Sequence, residues 1–128
     1  MKRDPDLERQ ILLAIEAYDG ESEPYYADLS DLPASRIQID YQTRLLSEAG
    51  LIWAIDCATK DEPFAMMPVR LTMAGHEYLD SIRDDEVWRR TKTAAQTIGS
   101  FSLEALSALA RGFIREKIRK HTGIEVDI

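Results

Sequence analysis

The spacing of apolar residues divides the chain into helical and extended stretches. Behind Asp4 and Pro5, the residues Leu7, Ile11, Ala14, Ile15 and Tyr18 recur three and four positions apart, which predicts a first helix over residues 5–18 with Asp4 as its cap. Asp19-Gly20 breaks it. Residues 21–35 contain Pro24, Pro33 and several acids, and read as irregular with room for a short strand near residues 25–29. From Arg36 onward Ile39, Leu46 and Ala49 share one face, Tyr41 and Leu45 flank it, and Gly50 supplies a left-handed end to a second helix, with Leu51 folding back over its last turn. The period then changes to two. Leu51, Trp53, Ile55 and Cys57 alternate onto one side of a strand, expected to be its inner side. After a polar turn over residues 59–63, Ala65, Met67, Val69 and Leu71 form the inner set of the return strand, which leaves Phe64 and Met66 outside. Pro68 marks that strand as an edge.

Thr72 is placed to cap a third helix with Tyr78, Leu79 and Ile82 inward, and Asp84 or Asp85 to start a fourth. Val87, Trp88, Thr91, Ala94, Ala95 and Ile98 make the stripe of that fourth helix before Gly99 ends it. Ser102 opens the last helix, whose apolar face is Leu103, Leu106, Leu109, Ala110, Phe113 and Ile114, with Arg111, Arg115, Lys117, Arg119 and Lys120 toward its end. Trp53 and Trp88 both fall on apolar stripes and are expected to anchor the core. The order of elements predicts a mainly α (α+β) fold. It is a winged helix with a two-stranded β-hairpin wing and additional C-terminal helices, read as one domain over residues 1–128, with the winged-helix core at 1–83 and a helical extension at 84–122.

Composition narrows the class without naming a task. With 128 residues, 45% hydrophobic and 30% charged, the chain is long enough for one core and is neither a disordered nor a collagen-like polymer. Its single cysteine, Cys57, cannot close an internal disulfide, which fits a reducing compartment. The first residues lack the apolar centre of a signal peptide, and no run approaches the roughly 20 apolar residues of a membrane span. A cytoplasmic location without membrane contact is therefore expected. Net charge is −7, and it is uneven. Residues 1–62 hold six Lys/Arg against fourteen Asp/Glu, while residues 63–128 hold ten against nine. Such a field gives no general affinity for phosphate, so nucleic-acid binding would need a local patch.

Four segments resemble a phage- and prophage-associated winged-helix family of unknown function: Met-Lys-Arg-Asp at residues 1–4, Leu-Leu-x-x-Ala-Gly-Leu-Ile at 45–52, Leu-Thr-x-x-Gly-His-Glu-aromatic-Leu-Asp at 71–80, and Ile-Arg-Asp-x-x-x-Trp at 82–88. The resemblance covers nearly the whole chain, and the segment at 71–80 is its most specific part. It implies a winged-helix fold and a mobile-element origin, and no reaction. Many members of that family place a histidine where this chain has Gln42.

Chemistry is sparse. His76 and Asp80, with Glu77 between them, imitate a zinc-hydrolase helix, but a third ligand is missing and each residue has a structural use near a helix start. Cys57 lies on an apolar stripe, and neither a nucleophile elbow nor a phosphate-cradling glycine loop is present. No enzyme, metal or cofactor is expected.

Two functions remain. In the first, a DNA-binding transcriptional regulator, the helix before the wing reads the groove through its outward residues Arg36, Gln38, Gln42, Thr43, Arg44 and Ser47, while Lys60 and Arg70 touch phosphate. A homodimer through the C-terminal helices, packed at Leu106, Leu109 and Phe113, would suit that role. In the second, a protein-interaction module acting on a host protein, the acidic N-terminal half meets a basic partner and Phe64 and Met66 supply an apolar contact.

Overall fold

The computed structural model describes residues 1–128. It is mixed α and β and mostly helical: α1 (Pro5–Ala17), α2 (Arg36–Glu48), β1 (Ile52–Asp56), β2 (Met66–Leu71), α3 (Met73–Ile82), α4 (Asp85–Ile98) and α5 (Leu103–Thr122). The two strands form one antiparallel hairpin. Two compact units divide the chain, Met1–Glu77 and Tyr78–Ile128, with the division falling inside α3. No helix is long and apolar enough to cross a membrane.

In the first unit, α1 begins where Asp4 accepts a hydrogen bond from the Leu7 amide and Pro5 occupies the first helical position. It buries Leu7, Ile11, Leu12 and Ile15. Glu8 is buried with them, its carboxylate held by two hydrogen bonds from Arg3 at 2.8 and 3.1 Å. Tyr18 caps the end of the helix instead of continuing it. Ser35 caps α2, and Gly50 at φ 77° closes it. The Gly50 amide bonds to the Ser47 carbonyl and the Leu51 amide to the Leu46 carbonyl, the pair of bonds that ends a helix on a left-handed residue.

That closure changes the parity expected for the hairpin. Leu51 is buried because it folds over the end of α2, and β1 starts one residue later. Ile52 pairs with Leu71 and both are buried, so Trp53 and Ile55 face outward, at 49% and 43% exposure. The expectation that Trp53 anchors the core is thereby corrected. A bulge between Trp53 and Ala54 makes Ala54 pair with Pro68, which leaves Val69 as the extra residue and shifts the alternation of β2 by one. Cys57 lies just past β1 and is half-buried. No strand forms over residues 25–29. Instead the Ala27 amide makes a single ladder-like bond of 2.8 Å to the Pro68 carbonyl on the edge of β2.

Thr72 joins the end of α2 to the start of α3. Its hydroxyl donates to the Gly50 carbonyl at 2.6 Å and accepts from the Gly75 amide at 3.1 Å, while its own amide donates to the Leu51 carbonyl at 3.0 Å. A Cβ on Gly75 would overlap the Leu51 carbonyl oxygen, so only glycine permits this approach.

In the second unit, Tyr78, Leu79 and Ile82 are buried on the inner face of α3. Asp84 caps α4, Gly99 at φ 76° ends it, and Ser102 caps α5. Helices α4 and α5 pack together. Val87, Trp88, Thr91, Ala95, Leu106 and Ala110 are buried in this unit. Arg90 reaches Glu116 at 3.3 Å and lies 4.4 Å above the Phe113 ring, and Lys117 pairs with Asp84 at 3.0 Å. The stripe offered for a homodimer is thus largely in use within the chain: Leu106 is fully buried, and Leu109 and Phe113 are half-buried.

Candidate functional site

The residues named as groove readers divide into three groups. Gln42 and Thr43 do not face outward; they are 2% and 1% exposed. The Gln42 amide group accepts from the Asp4 amide at 3.0 Å and donates to the Lys2 carbonyl at 2.8 Å, tying the N-terminal segment to α2. Thr43 donates its hydroxyl to the Ile39 carbonyl four residues back at 2.7 Å. Both are buried and engaged within the chain, so the buried face of α2 is wider than its apolar residues alone suggest.

Arg36 and Arg44 are held by carboxylates. Arg44 makes a two-pronged ion pair with Asp56 of β1 at 2.9 and 3.1 Å and a third contact with the Ala65 carbonyl at 3.3 Å. The Arg44 hydrogen bonds, aided by the Ala58 amide, pull the Asp56 carboxyl down to about 2. Only 20% of the Arg44 side chain is exposed, so a guanidinium expected to reach a base edge instead joins α2 to the hairpin. Arg36 extends to Glu62 at 3.1 Å and lies 3.7 Å from Asp40.

Gln38, Lys60 and Arg70 are exposed and Ser47 is half-buried. Lys60 occupies the hairpin turn beside Asp61 and Glu62, and Arg70 lies at the opposite end of β2, where it donates to the Leu71 carbonyl at 3.1 Å. The apolar pair expected outside is also placed differently. Phe64 packs edge-on against Tyr41 of α2, with ring centres 5.2 Å apart, and Met66 is half-buried. Trp53 and Ile55 take the exposed position, with Met67 directly across from Ile55 and Arg70 across from Trp53.

A groove of about 460 Å³ opens beside β2. One wall is residues 26–30 with Ala34, another is Arg36, Ile39 and Asp40 of α2, and the hairpin contributes Cys57, Glu62 and residues 65–68. Burial pushes the Asp40 carboxyl above its ordinary value, with the Glu62 charge adding to the effect and the Arg36 charge opposing it. The Asp28 carboxyl is held below its ordinary value by the Ser30 backbone and side chain. Sequence reasoning missed this groove because its walls come from three separated segments; the density of acids in residues 19–62 is the only linear trace of it.

Comparison with known proteins places the chain without assigning it a task. A family model described as "Hypothetical protein (DUF2513)" matches residues 2–102. The chain belongs to this family. A Haemophilus influenzae (strain ATCC 51907 / DSM 11121 / KW20 / Rd) protein described as uncharacterized is 36% identical to this DUF2513 member over 121 residues, covering 92% of this chain and 99% of its own length. No solved structure matches this DUF2513 member. The family match spans all of the first unit beyond Met1, together with α3 and α4, and stops short of α5.

Proposed function

We propose that the N-terminal unit is a winged helix used as a protein-interaction module, in a non-enzymatic chain of phage or prophage type that acts in the cytoplasm on a host protein. The observation that carries this reading is the outward pair Trp53 and Ile55 on β1, each more than two-fifths exposed. Large apolar side chains displayed together on a rigid hairpin are costly to leave in water and are what protein partners cover. The surrounding charge agrees, since residues 1–77 carry seven Lys/Arg against fifteen Asp/Glu, a field suited to a basic partner.

A DNA-reading regulator requires uncommitted cations on α2, and there Arg44 is drawn in by Asp56 while the exposed Arg36 lies among the carboxylates Asp40 and Glu62. The test combines two measurements. A fluorescence titration with mixed genomic DNA should show no binding that falls between about 50 and 200 mM salt. Affinity capture from host lysate should retain a protein that Trp53→Ala loses by about tenfold or more at an unchanged melting temperature. Salt-sensitive DNA binding that weakens on Arg44→Ala would overturn the proposal in favour of the regulator.

A further inference from the structure

The groove beside β2 carries a more specific reading, which rests on the protein-interaction proposal and names the chemistry of one partner segment. In the hairpin the Cys57 amide donates to the Ala65 carbonyl, so this pair is hydrogen-bonded across the ladder. Alternation then makes Ile55 and Met67 a bonded pair and Asp56 and Met66 a non-bonded one. The Met66 N–H and C=O therefore point away from β1, toward the groove that Met66 lines. The Pro68 carbonyl, two residues further along the same edge, already accepts the Ala27 amide. The edge of β2 thus accepts a main-chain partner at Pro68 and presents the next such position, at Met66, to an open cleft.

The walls select for charge. Three carboxylates, Asp28, Asp40 and Glu62, line the groove with one cation, Arg36, which pairs with Glu62 at 3.1 Å and lies 3.7 Å from Asp40. Three carboxylates against one lining cation leave the groove net negative, which favours an added cation. No three of the His, Cys, Asp and Glu side chains are grouped to hold a metal ion, so the cation best suited is an organic one on a flexible stem. Ile39, Ala65, Met66 and Met67 give that stem an apolar surface.

We infer that this groove binds an extended, lysine- or arginine-bearing peptide segment of a partner protein. The segment pairs its backbone with Met66 on the edge of β2 and sets a cationic side chain against the carboxylates of Asp28, Asp40 and Glu62, sharing the last two with the exposed Arg36. Recognition by strand addition obtains affinity from the main chain and selectivity from alternate side chains. Here the selectivity lies in the carboxylates.

The test is an amide-resolved NMR titration of the full chain with a blocked pentapeptide of alternating lysine and valine. Three probes run beside it: the same peptide with glutamate for lysine, the lysine peptide with N-methylated backbone, and spermidine. Saturating shifts should centre on the Met66, Ala27 and Asp40 amides for the lysine peptide. The glutamate peptide should give none, and N-methylation or loss of the peptide backbone should weaken binding by about tenfold. The double variant Asp40→Asn, Glu62→Gln should weaken the lysine peptide by about tenfold at an unchanged far-ultraviolet spectrum. Equal binding of the glutamate or N-methylated peptide, or shifts centred on Trp53 and Ile55, would overturn the inference. Trp53 does not line the groove, so Trp53→Ala should leave peptide affinity unchanged. Peptide binding at Met66 without any partner lost on Trp53→Ala would refute the outward-pair proposal and leave the groove standing; the opposite pattern would refute the groove alone.

Discussion

No side chain can be placed at position 75 without moving backbone, because the atom it would meet is the carbonyl oxygen of Leu51. The same carbonyl accepts the Thr72 amide, so it cannot withdraw without breaking the joint between α2 and α3. Gly75→Ala should therefore cost about 2–4 kcal/mol, far beyond the propensity gain of alanine in a helix, and urea denaturation will read it as a lowered midpoint. A second residue-scale expectation concerns pH. The folded Asp56 carboxyl titrates at about 2, below its ordinary value, because Arg44 and the Ala58 amide favour the ionised form. A depressed folded value means that the Arg44–Asp56 contribution is complete above the unfolded carboxylate range and is lost as pH falls through it toward 2. The melting temperature of the native chain should fall more steeply between about pH 4 and pH 2 than that of Asp56→Asn, and parallel profiles would show the pair to be inert. Capping at Asp4, Thr72, Gly99 and Ser102 was legible in the sequence because a cap depends on a few adjacent residues. The pairing of Arg44 with Asp56, twelve residues away, and of Gln42 with the segment at Lys2 and Asp4 was not, since each depends on where a second element comes to lie.

At the scale of elements, all five helices lie where periodicity puts them, and the difference is concentrated in the hairpin. Alternation fixes which residues share a face but not which face is inside, and a one-residue change of register exchanges the two. Leu51 reads both as the residue that folds back over the last turn of α2, which it is, and as the first inward residue of a strand that in fact begins at Ile52. The bulge at Val69 then hides the change in β2, because inward Leu71 and inward Pro68 are three positions apart instead of two or four. Variants at the adjacent positions separate the two arrangements. Ile52→Ala should cost about 2–4 kcal/mol by opening a cavity, whereas Trp53→Ala should change stability by about 0.5 kcal/mol or less in chemical denaturation. Acrylamide should quench one tryptophan readily and the other poorly, with Trp53→Phe removing the quenched component and leaving buried Trp88. A large loss of stability at Trp53 with none at Ile52 would restore the original parity.

Over the whole molecule, charge is the property that composition revealed and structure redistributed. The first unit holds a net −8 and the second a net +1, so the chain's total of −7 resides in the unit that contains α2 and the hairpin. The cations of α5 are in part committed: Lys117 pairs with Asp84, Lys120 with Glu116 at 3.0 Å, and Arg115 donates to the Ile128 carbonyl at 2.8 Å. Composition could announce an acidic chain, but which cations remain available depends on pairings between residues as far apart as 84 and 117. The consequence is measurable without knowing any partner. At neutral pH the chain should bind an anion exchanger and pass through immobilised heparin at about 0.1 M salt, where the Debye length of about 10 Å leaves only local clusters able to hold a polyanion. Removing the carboxylates that hold the α2 cations, in the variant Asp56→Asn, Glu62→Gln, should free Arg44 and Arg36 and delay elution from heparin. Heparin retention of the native chain, abolished by Arg36→Ala and Arg44→Ala, would instead show that these cations are already available, and would return the chain to the regulator reading.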